Sequence, residues 1–208
     1  MYIYRLEPYR KNRVKVYFDE GSPAFVLYEK EIEKYDIKEG QELAGETYEL
    51  IKKEVLIKRA VSRTLYLLDA SAKTESALKK KLREGFYPEE VIEEAVRYAK
   101  EKHYIDDEYY ASAYAEKKKT SKSKWMIKKE LQQKGIDPAT AEEVFSGMEI
   151  DDRETIAGIL EKKIPRGSAV DRKTAEKIKR SLLTKGFAYD DIRAAFSTHM
   201  LDITYKSD

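Results

Sequence analysis

The chain has 208 residues and no cysteine, and this absence removes several kinds of chemistry at once. Without thiols there is no disulfide, no thiolate nucleophile and no cysteine-ligated zinc site. The sequence also lacks the roughly 18 uninterrupted apolar residues that a membrane-spanning helix needs, and it does not begin with the apolar core of a signal peptide. We therefore expect a cytoplasmic protein without membrane contact.

Histidine is scarce too, since His103 and His199 are the only two and lie far apart. Neither fits an HExxH zinc motif or a nucleophile–base arrangement, and no GxxxxGK[ST] nucleotide-binding loop occurs. Asp106 and Asp107 are adjacent, which favours helix capping over a cation site, because such a site needs oxygens from several segments. The sequence thus predicts a non-enzyme with no catalytic residue, metal or cofactor.

Charge, in contrast, is abundant. Charged residues make up 38% of the chain and aromatic residues 11%, a composition that indicates a folded and highly charged protein. The net charge is only +2, yet acids collect at predicted helix starts and bases along certain helices. Local charge is therefore more informative about partners than the total.

A ten-residue sequence pattern occurs three times, and each copy predicts a basic helix followed by a glycine and an apolar residue. The three copies cover residues 77–86, 127–136 and 178–187. Their glycines, which are 50 and 51 residues apart, are Gly85, Gly135 and Gly186. A fixed period of this length indicates tandem helical units, none of which buries its apolar face alone.

From about residue 55 the apolar residues follow the period of helices, and each unit is predicted to contain three helices, called a, b and c. The a helices are predicted at 55–69, 107–119 and 152–163, the b helices at 75–84, 122–134 and 172–185, and the c helices at 88–102, 138–147 and 189–199. Polar a-to-b loops are predicted at 70–73, 119–122 and 165–168. The predicted repeats are 55–104, 105–149 and 150–208.

The turn from helix b to helix c is predicted to depend on the glycine, in the left-handed conformation that ends many helices. Counted from each glycine, apolar residues recur six and ten positions later. These are Val91 and Ala95, Ala141 and Phe145, and Ile192 and Phe196. Leu82 lies three residues before its glycine, whereas Leu131 and Leu182 lie four before theirs, which predicts a turn one residue shorter in the first unit.

Residues 1–54 differ in character from the rest. Alternating β-formers at 14–18 and 24–28 predict a hairpin, and a short helix is predicted at 29–35. Residues 47–50 fit either a strand or the lead into the next helix. The predicted fold is therefore mainly α, with three tandem three-helix repeats after a small β-containing N-terminal module.

Two stretches carry a resemblance to a known family. Residues 73–78 with Leu82, and the Tyr-Ile-Asp-Asp-Glu-Tyr-Tyr-Ala segment at 104–111, resemble the RecX family of bacterial RecA recombinase regulators. The similarity covers about residues 55–208, and residues 1–54 resemble an N-terminal extension found in some members. The family commonly has arginine at the position of Lys73 and a glycine in the loop at 119–122, and both features are missing here.

The resemblance implies a curved helical-repeat protein that is not an enzyme. Such a protein lodges in the groove of the RecA filament on DNA and suppresses its ATPase activity and strand exchange, in DNA repair and recombination. The resemblance leaves open whether single- or double-stranded DNA is touched directly. We expect the chain to act as a monomer.

The basic side of the b helices supplies the candidate binding residues. Eight lysines fall within residues 117–134, a segment with one acid, Glu130. If the b helices stack side by side, their cations form one surface suited to an acidic protein groove or to phosphates. The candidates are Lys79, Lys80, Lys81, Lys118, Lys119, Lys122, Lys124, Trp125, Lys128, Lys129, Lys173, Lys177 and Arg180.

Alternatives remain at this stage. Lysines commonly solubilise the exposed side of a helix, and a tryptophan such as Trp125 is more often packed between helices than presented to a partner. Three functions compete: a modulator of the RecA filament, a helical DNA-binding module without a recombinase partner, and an enzyme whose site the sequence does not reveal.

Overall fold

The structure, a computed structural model, describes residues 1–164 and 170–200, with only the backbone of Met200. Its strands are β1 (Arg5–Pro8), β2 (Arg13–Tyr17) and β3 (Phe25–Tyr28). Its helices are α1 (Glu29–Lys34), α2 (Gly45–Ile51), α3 (Lys58–Ala70), α4 (Glu75–Arg83), α5 (Glu89–Glu101), α6 (Asp107–Lys118), α7 (Lys124–Gln133), α8 (Pro138–Ser146), α9 (Asp152–Lys163), α10 (Arg172–Thr184) and α11 (Tyr189–Met200). A π-helical segment, Lys52–Ile57, joins α2 to α3.

The predicted fold class is confirmed, because three a–b–c helix triplets follow a small sheet. The nine predicted helices are present within a few residues of their predicted ends, and residues 47–50 belong to α2 instead of a strand. The loop predicted at 165–168 lies outside the described residues. The repeat boundaries stay predictions.

The N-terminal sheet has three antiparallel strands in the order β1-β2-β3. The hairpin of β2 and β3 is as predicted, but sequence reasoning missed β1. Its four residues hold one aliphatic side chain and end in Pro8, a residue that sheets tolerate at edges. Polar pairing supports the strand, since Glu7 accepts hydrogen bonds from Lys15 Nζ and the Tyr17 hydroxyl, both at 3.0 Å.

The chain divides into two compact units, residues 1–106 and 107–208. In the first unit the sheet and the first helical repeat share a single apolar core. Val16, Phe25 and Leu27 of the sheet belong to the same buried cluster as Leu78 and Leu82 of α4. The small sheet is therefore a wall of the first repeat's core.

The second unit contains two apolar clusters, one for each of its repeats. The cluster of the second repeat includes Ile127 and Leu131 of α7, and that of the third includes Ile178 and Leu182 of α10. These are the pairs expected on the buried faces of the b helices. All four side chains are buried, so the predicted helix phase is confirmed.

The turn from helix b to helix c is built in the same way in all three repeats. The residue four after the b-helix leucine is left-handed: Phe86 has φ 59°, Gly135 has φ 80° and Gly186 has φ 85°. The next residue donates its amide hydrogen bond to the leucine carbonyl at 3.0–3.4 Å, which is the Schellman closure of a helix.

The prediction for Gly85 was therefore wrong, because the left-handed residue of the first repeat is Phe86. Its turn is not shortened. A Cβ on Gly85 would lie 3.0 Å from the Tyr87 ring, so this glycine allows close packing of that ring instead. Phe86 is held in its strained conformation while its ring packs edge-on against Tyr9 at a centroid distance of 5.6 Å.

The register of the first c helix changes as a consequence. Counted from the left-handed residue, the counterparts of Ala141 and Phe145 are Ile92 and Val96, in place of the predicted Val91 and Ala95. All four residues of α5 are buried, because this helix carries a wider apolar face than α8. Burial alone could not reveal the shift.

Because the core is shared, deleting residues 1–54 is expected to destabilise the first repeat. The milder change Phe25→Ala, at a side chain with no exposed surface, should lower the free energy of unfolding by about 3 to 5 kcal/mol. Urea unfolding followed by circular dichroism measures both effects. The exposed Tyr66 provides a control, since Tyr66→Ala should change stability by no more than about 0.5 kcal/mol. An unchanged midpoint for the shortened chain would contradict the shared core.

Candidate partner-binding surface

Helix α7 carries three of the predicted cations, Lys124, Lys128 and Lys129, and its start is firmly fixed. Ser123 is fully buried, and its hydroxyl accepts a hydrogen bond from the Met126 amide at 3.1 Å as the N-cap. Ile127 and Leu131 bury the opposite face. This capping and burial fix the direction in which the exposed residues of α7 point.

Backbone hydrogen bonds join the second and third repeats at this point. The Ser123 amide donates to the Lys185 carbonyl at 3.1 Å, and the Lys124 amide donates to Asp152 Oδ1 at 2.9 Å. In the other direction, the Thr155 hydroxyl donates to the Lys119 carbonyl at 3.0 Å. The start of α7 is thus bonded to both the a helix and the b-to-c turn of the next repeat.

Gly186 permits this close approach. A Cβ at that position would lie 2.6 Å from Ser123 Oγ, 2.7 Å from Met126 Cβ and 3.1 Å from Trp125 Cε3. Contacts below 3.0 Å cannot be accommodated without a shift, and the positive φ adds strain for any other residue. Glycine is therefore required here by both the backbone conformation and the space.

Positive charge accumulates around this junction. The pKa of Lys185 is lowered, first by burial and then by the nearby charges of Lys163 and Lys122. Trp125 lies against the adjacent Gly186, and Lys129 Nζ lies 4.9 Å from the centre of its ring. We call Lys122, Trp125, Lys129, Lys163 and Lys185 the junction surface.

Trp125 is 58% exposed, so the expectation of a tryptophan packed between helices is only partly correct. One ring edge touches the turn at Gly186, while most of the indole is open to solvent. A large exposed aromatic ring beside cations is the composition found at the centre of many protein interfaces.

Several candidate lysines are paired with acids, contrary to the picture of free exposed cations. Lys122 bonds to Glu130, Lys128 bonds to Glu142, and Lys119 lies 2.7 Å from Glu116. Lys124 and Lys128 also lie over the Phe145 ring at 5.7 and 5.3 Å. Both are half-buried against α8, so the expectation that they are exposed was wrong.

The half-buried Glu130 connects two side chains, Lys122 and Tyr114. It bonds to Lys122 and accepts a hydrogen bond from the Tyr114 hydroxyl at 2.8 Å. Burial opposes the ionised carboxylate, yet these two bonds hold the pKa of Glu130 below its usual value. The pKa of Tyr114 is raised to about 12 by burial and by the carboxylate. Lys118 Nζ lies 5.9 Å from the same tyrosine ring.

Helix α10 presents a second cationic face, with Lys173, Lys177 and Arg180 at spacings of four and three residues. All three are exposed, and none has an acidic partner within the part of the chain that the structure describes. Together with Arg172 and Glu176 they line a shallow groove of about 580 Å³. This face is the clearest confirmation of the predicted exposed b-helix cations.

The b helix of the first unit, α4, is more neutral. Lys79 lies 2.7 Å from Glu93 and 2.9 Å from Glu75, and bonds to these two acids raise its pKa. Lys81 lies 2.7 Å from Glu84, and Lys80 is exposed. That the cations of α4 continue the surface of the second unit stays a prediction.

Sequence reasoning missed Lys163 and Lys185 as members of this site. Lys163 ends an a helix and Lys185 follows a b helix, so neither belongs to the lysine-rich segment around α7. The weak signal available was Gly186, whose conformation brings the two repeats together. Within the described residues, no group of three or more side chains could hold a metal ion, and no helix is long and apolar enough to cross a membrane.

Comparison with known proteins agrees with this architecture. Residues 106–144 match the family described as "RecX, second three-helix domain", and residues 151–196 match "RecX, third three-helix domain". The Regulatory protein RecX of Caldanaerobacter subterraneus subsp. tengcongensis is 30% identical over 95% of this chain and 99% of its own length. That of Clostridium botulinum is 28% identical over 92% of each chain.

Solved structures show the same likeness. A crystal structure of regulatory protein RecX is similar with a TM-score of 0.57 and 25% identity, over 94% of this chain and 98% of the other. The crystal structure of RecX from Lactobacillus salivarius has a TM-score of 0.57 and 29% identity, over 70% of this chain and 97% of the other.

The fold and its exposed cations define a helical-repeat protein whose surface is suited to binding. The relatives are named as regulatory proteins, which indicates a regulatory role. The chain belongs to the RecX family of regulatory proteins.

Gly186→Ala is expected to destabilise the junction between the second and third repeats. The left-handed backbone and the contact with Ser123 should together lower the free energy of unfolding by at least about 1 to 3 kcal/mol. Thermal unfolding measures the change. Gly158→Ala is the control, because nothing lies within 4 Å of an added Cβ in the middle of α9, and alanine there should stabilise by up to about 1 kcal/mol. Equal effects at the two glycines would contradict the role of Gly186.

Proposed function

We propose that the protein binds the RecA recombinase filament and mainly inhibits its ATPase activity, strand exchange and growth, in DNA repair and recombination. The observation that carries this proposal is the junction surface. It combines an exposed indole with cations on two repeats whose relative position is fixed by backbone hydrogen bonds. Such a rigid surface can dock without losing much conformational freedom.

The charges of the surface fit an acidic groove on a protein partner. Lys129, Lys163 and Lys185 have no acidic partner within the described residues, and the burial of Lys185 already lowers its pKa. An approaching carboxylate would remove the mutual repulsion of these cations and stabilise the charged form of Lys185. Trp125 would then be covered at the centre of the contact, where aromatic residues contribute most to affinity.

Inhibition would follow from binding alone. A protein that binds one state of a filament shifts the population toward that state by its difference in affinity. Occupying the groove would also exclude the DNA partner from strand exchange. No catalytic group is required for either effect, which agrees with membership of a family of regulatory proteins.

The α10 face favours a second candidate function, a DNA-binding module that acts without a recombinase. Lys173, Lys177 and Arg180 have no acidic partner among residues 1–164 and 170–199 and lie along one exposed face, an arrangement that also suits phosphates. A hydrolysis assay separates the two candidates. The protein is added in substoichiometric amounts to RecA on single-stranded DNA while ATP hydrolysis is followed.

We expect the triple variant Lys129→Glu, Lys177→Glu, Arg180→Glu to lose most of the inhibition while keeping its helicity. These three side chains are exposed and make no ion pair among the described residues, so their reversal should disturb binding more than folding. Lys124 and Lys128 are less suitable for reversal, because it would break their contacts with Phe145 and Glu142.

The matched control reverses three exposed lysines of the first unit, as Lys30→Glu, Lys53→Glu, Lys102→Glu, with the same change in net charge. This control should inhibit as the parent chain does. Full inhibition by the folded test variant would remove Lys129 and the α10 face from the proposal. Unchanged hydrolysis by the parent chain, with tight and salt-dependent binding to naked DNA, would favour the DNA-binding module.

A further inference from the structure

The first unit contains a cleft that shares only Lys81 with the predicted binding residues. It has a volume of about 620 Å³ and lies where the sheet, α3 and the b-to-c turn of the first repeat meet. Five cationic side chains from four elements line it. They are Arg10 from the β1–β2 turn, Arg13 from β2, Arg59 and Arg63 from α3, and Lys81 from α4.

Two of these cations are neutralised and three are not. Arg59 lies 2.6 Å from Glu31, and Lys81 lies 2.7 Å from Glu84. Arg10, Arg13 and Arg63 have no acidic partner within the described residues, and all three are exposed. The cleft therefore carries an excess of positive charge that the protein itself does not balance.

The guanidinium groups are positioned by aromatic rings. Arg13 and Arg59 lie 5.1 and 4.7 Å from the centre of the Tyr28 ring, so the two charges are at most about 10 Å apart. Arg13 also donates a hydrogen bond to the Tyr28 hydroxyl at 3.1 Å, and Arg10 lies 5.2 Å from the Tyr9 ring. Glu31 balances Arg59, so the charge of Arg13 beside it is the one that a bound anion would balance.

Tyr87 lines the cleft together with Arg13, Arg59 and Arg63. Burial raises the pKa of Tyr87, while the charges of Arg59, Arg13 and Arg63 act in the opposite direction. The lining of the cleft is thus positively charged. That region would accept negatively charged oxygens.

Backbone strain is concentrated at the edge of this cleft. Arg10, Asn12 and Phe86 all have positive φ, at 51°, 53° and 59°. Such conformations are unfavourable outside glycine and persist only where the surrounding structure enforces them. With these backbone conformations, Arg10 and Phe86 both line the cleft, and the Phe86 ring packs on Tyr9.

We propose that this cleft binds the phosphodiester backbone of a nucleic-acid strand. Guanidinium groups match phosphate oxygens with two parallel hydrogen bonds, and the arginines come from several successive elements instead of converging on one point. That distribution suits a nucleic-acid strand, which carries one negative phosphate on every nucleotide. Because guanidinium groups already cover the Tyr9 and Tyr28 rings, the site should show little preference among bases.

The test measures the fluorescence anisotropy of a short labelled oligothymidylate with the full-length chain at several salt concentrations. Arg10→Ala with Arg63→Ala is expected to weaken the affinity roughly tenfold or more at low salt and to flatten its salt dependence by about one unit of slope per lost phosphate contact. Neither side chain makes a hydrogen bond or ion pair among the described residues, so the fold should persist.

A matched control replaces two exposed cations of the same unit, as Lys53→Ala with Arg97→Ala, and should bind as the parent chain does. A second variant, Arg13→Lys with Arg63→Lys, keeps the charge but loses the two-pronged hydrogen bonding, and we expect an intermediate affinity. Replacing the labelled DNA by an oligocytidylate should change little.

Two outcomes would overturn the proposal. One is unchanged DNA affinity in the folded Arg10→Ala, Arg63→Ala variant. The other is equal competition by an oligoglutamate peptide of the same charge, which would assign the cleft to an acidic protein segment. The proposal does not rest on the filament-binding function, because the variant Lys129→Glu, Lys177→Glu, Arg180→Glu, with one change on the junction surface and two on the α10 face, tests that function in a different unit.

Discussion

The repeats depend on one constraint: the chain must reverse direction at a left-handed residue four positions after a buried leucine. Leu82, Leu131 and Leu182 anchor the three b helices, and each leucine carbonyl accepts the hydrogen bond that closes the turn. The direction of the following c helix is set by this closure. The packing of every three-helix unit follows from it.

The position is the same in each repeat, but different interactions stabilise it. In the second and third repeats, glycine adopts the conformation at no steric cost. In the third repeat it also leaves room for the start of α7, which builds the junction surface. In the first repeat a phenylalanine occupies the position, and its ring packs against Tyr9 in the turn between β1 and β2.

This difference explains what the sequence could and could not predict. Helix positions and the buried faces of α7 and α10 followed from periodicity, because those helices bury residues four apart. The left-handed residue of the first repeat could not be predicted, because the rule that assigns it to glycine ignores a contact with Tyr9, some 75 residues earlier in the turn between β1 and β2. The strand β1 was missed for a similar reason, since polar pairs with β2 replace apolar alternation.

The candidate site was predicted less completely than the fold. Counting lysines located α7 and α10, but the count could not show which cations Glu130 and Glu142 neutralise, because one pair joins α7 to the loop before it and the other joins α7 to α8. It also could not bring together Arg10 and Arg63, which only the folded first unit places in one cleft. Charged residues in a sequence can thus be assigned to a binding surface only after their ion pairs are known.

Phe86 also limits how freely the repeats can be exchanged. The third repeat ends its b helix with a residue that needs no outside support, so its turn can form as soon as its own helices do. The turn of the first repeat needs the sheet, which makes that repeat unsuitable as an interchangeable cassette. Duplication or grafting within such an array would therefore have to start from the glycine-containing repeats. The phenylalanine-containing repeat would have to be transferred together with its strands.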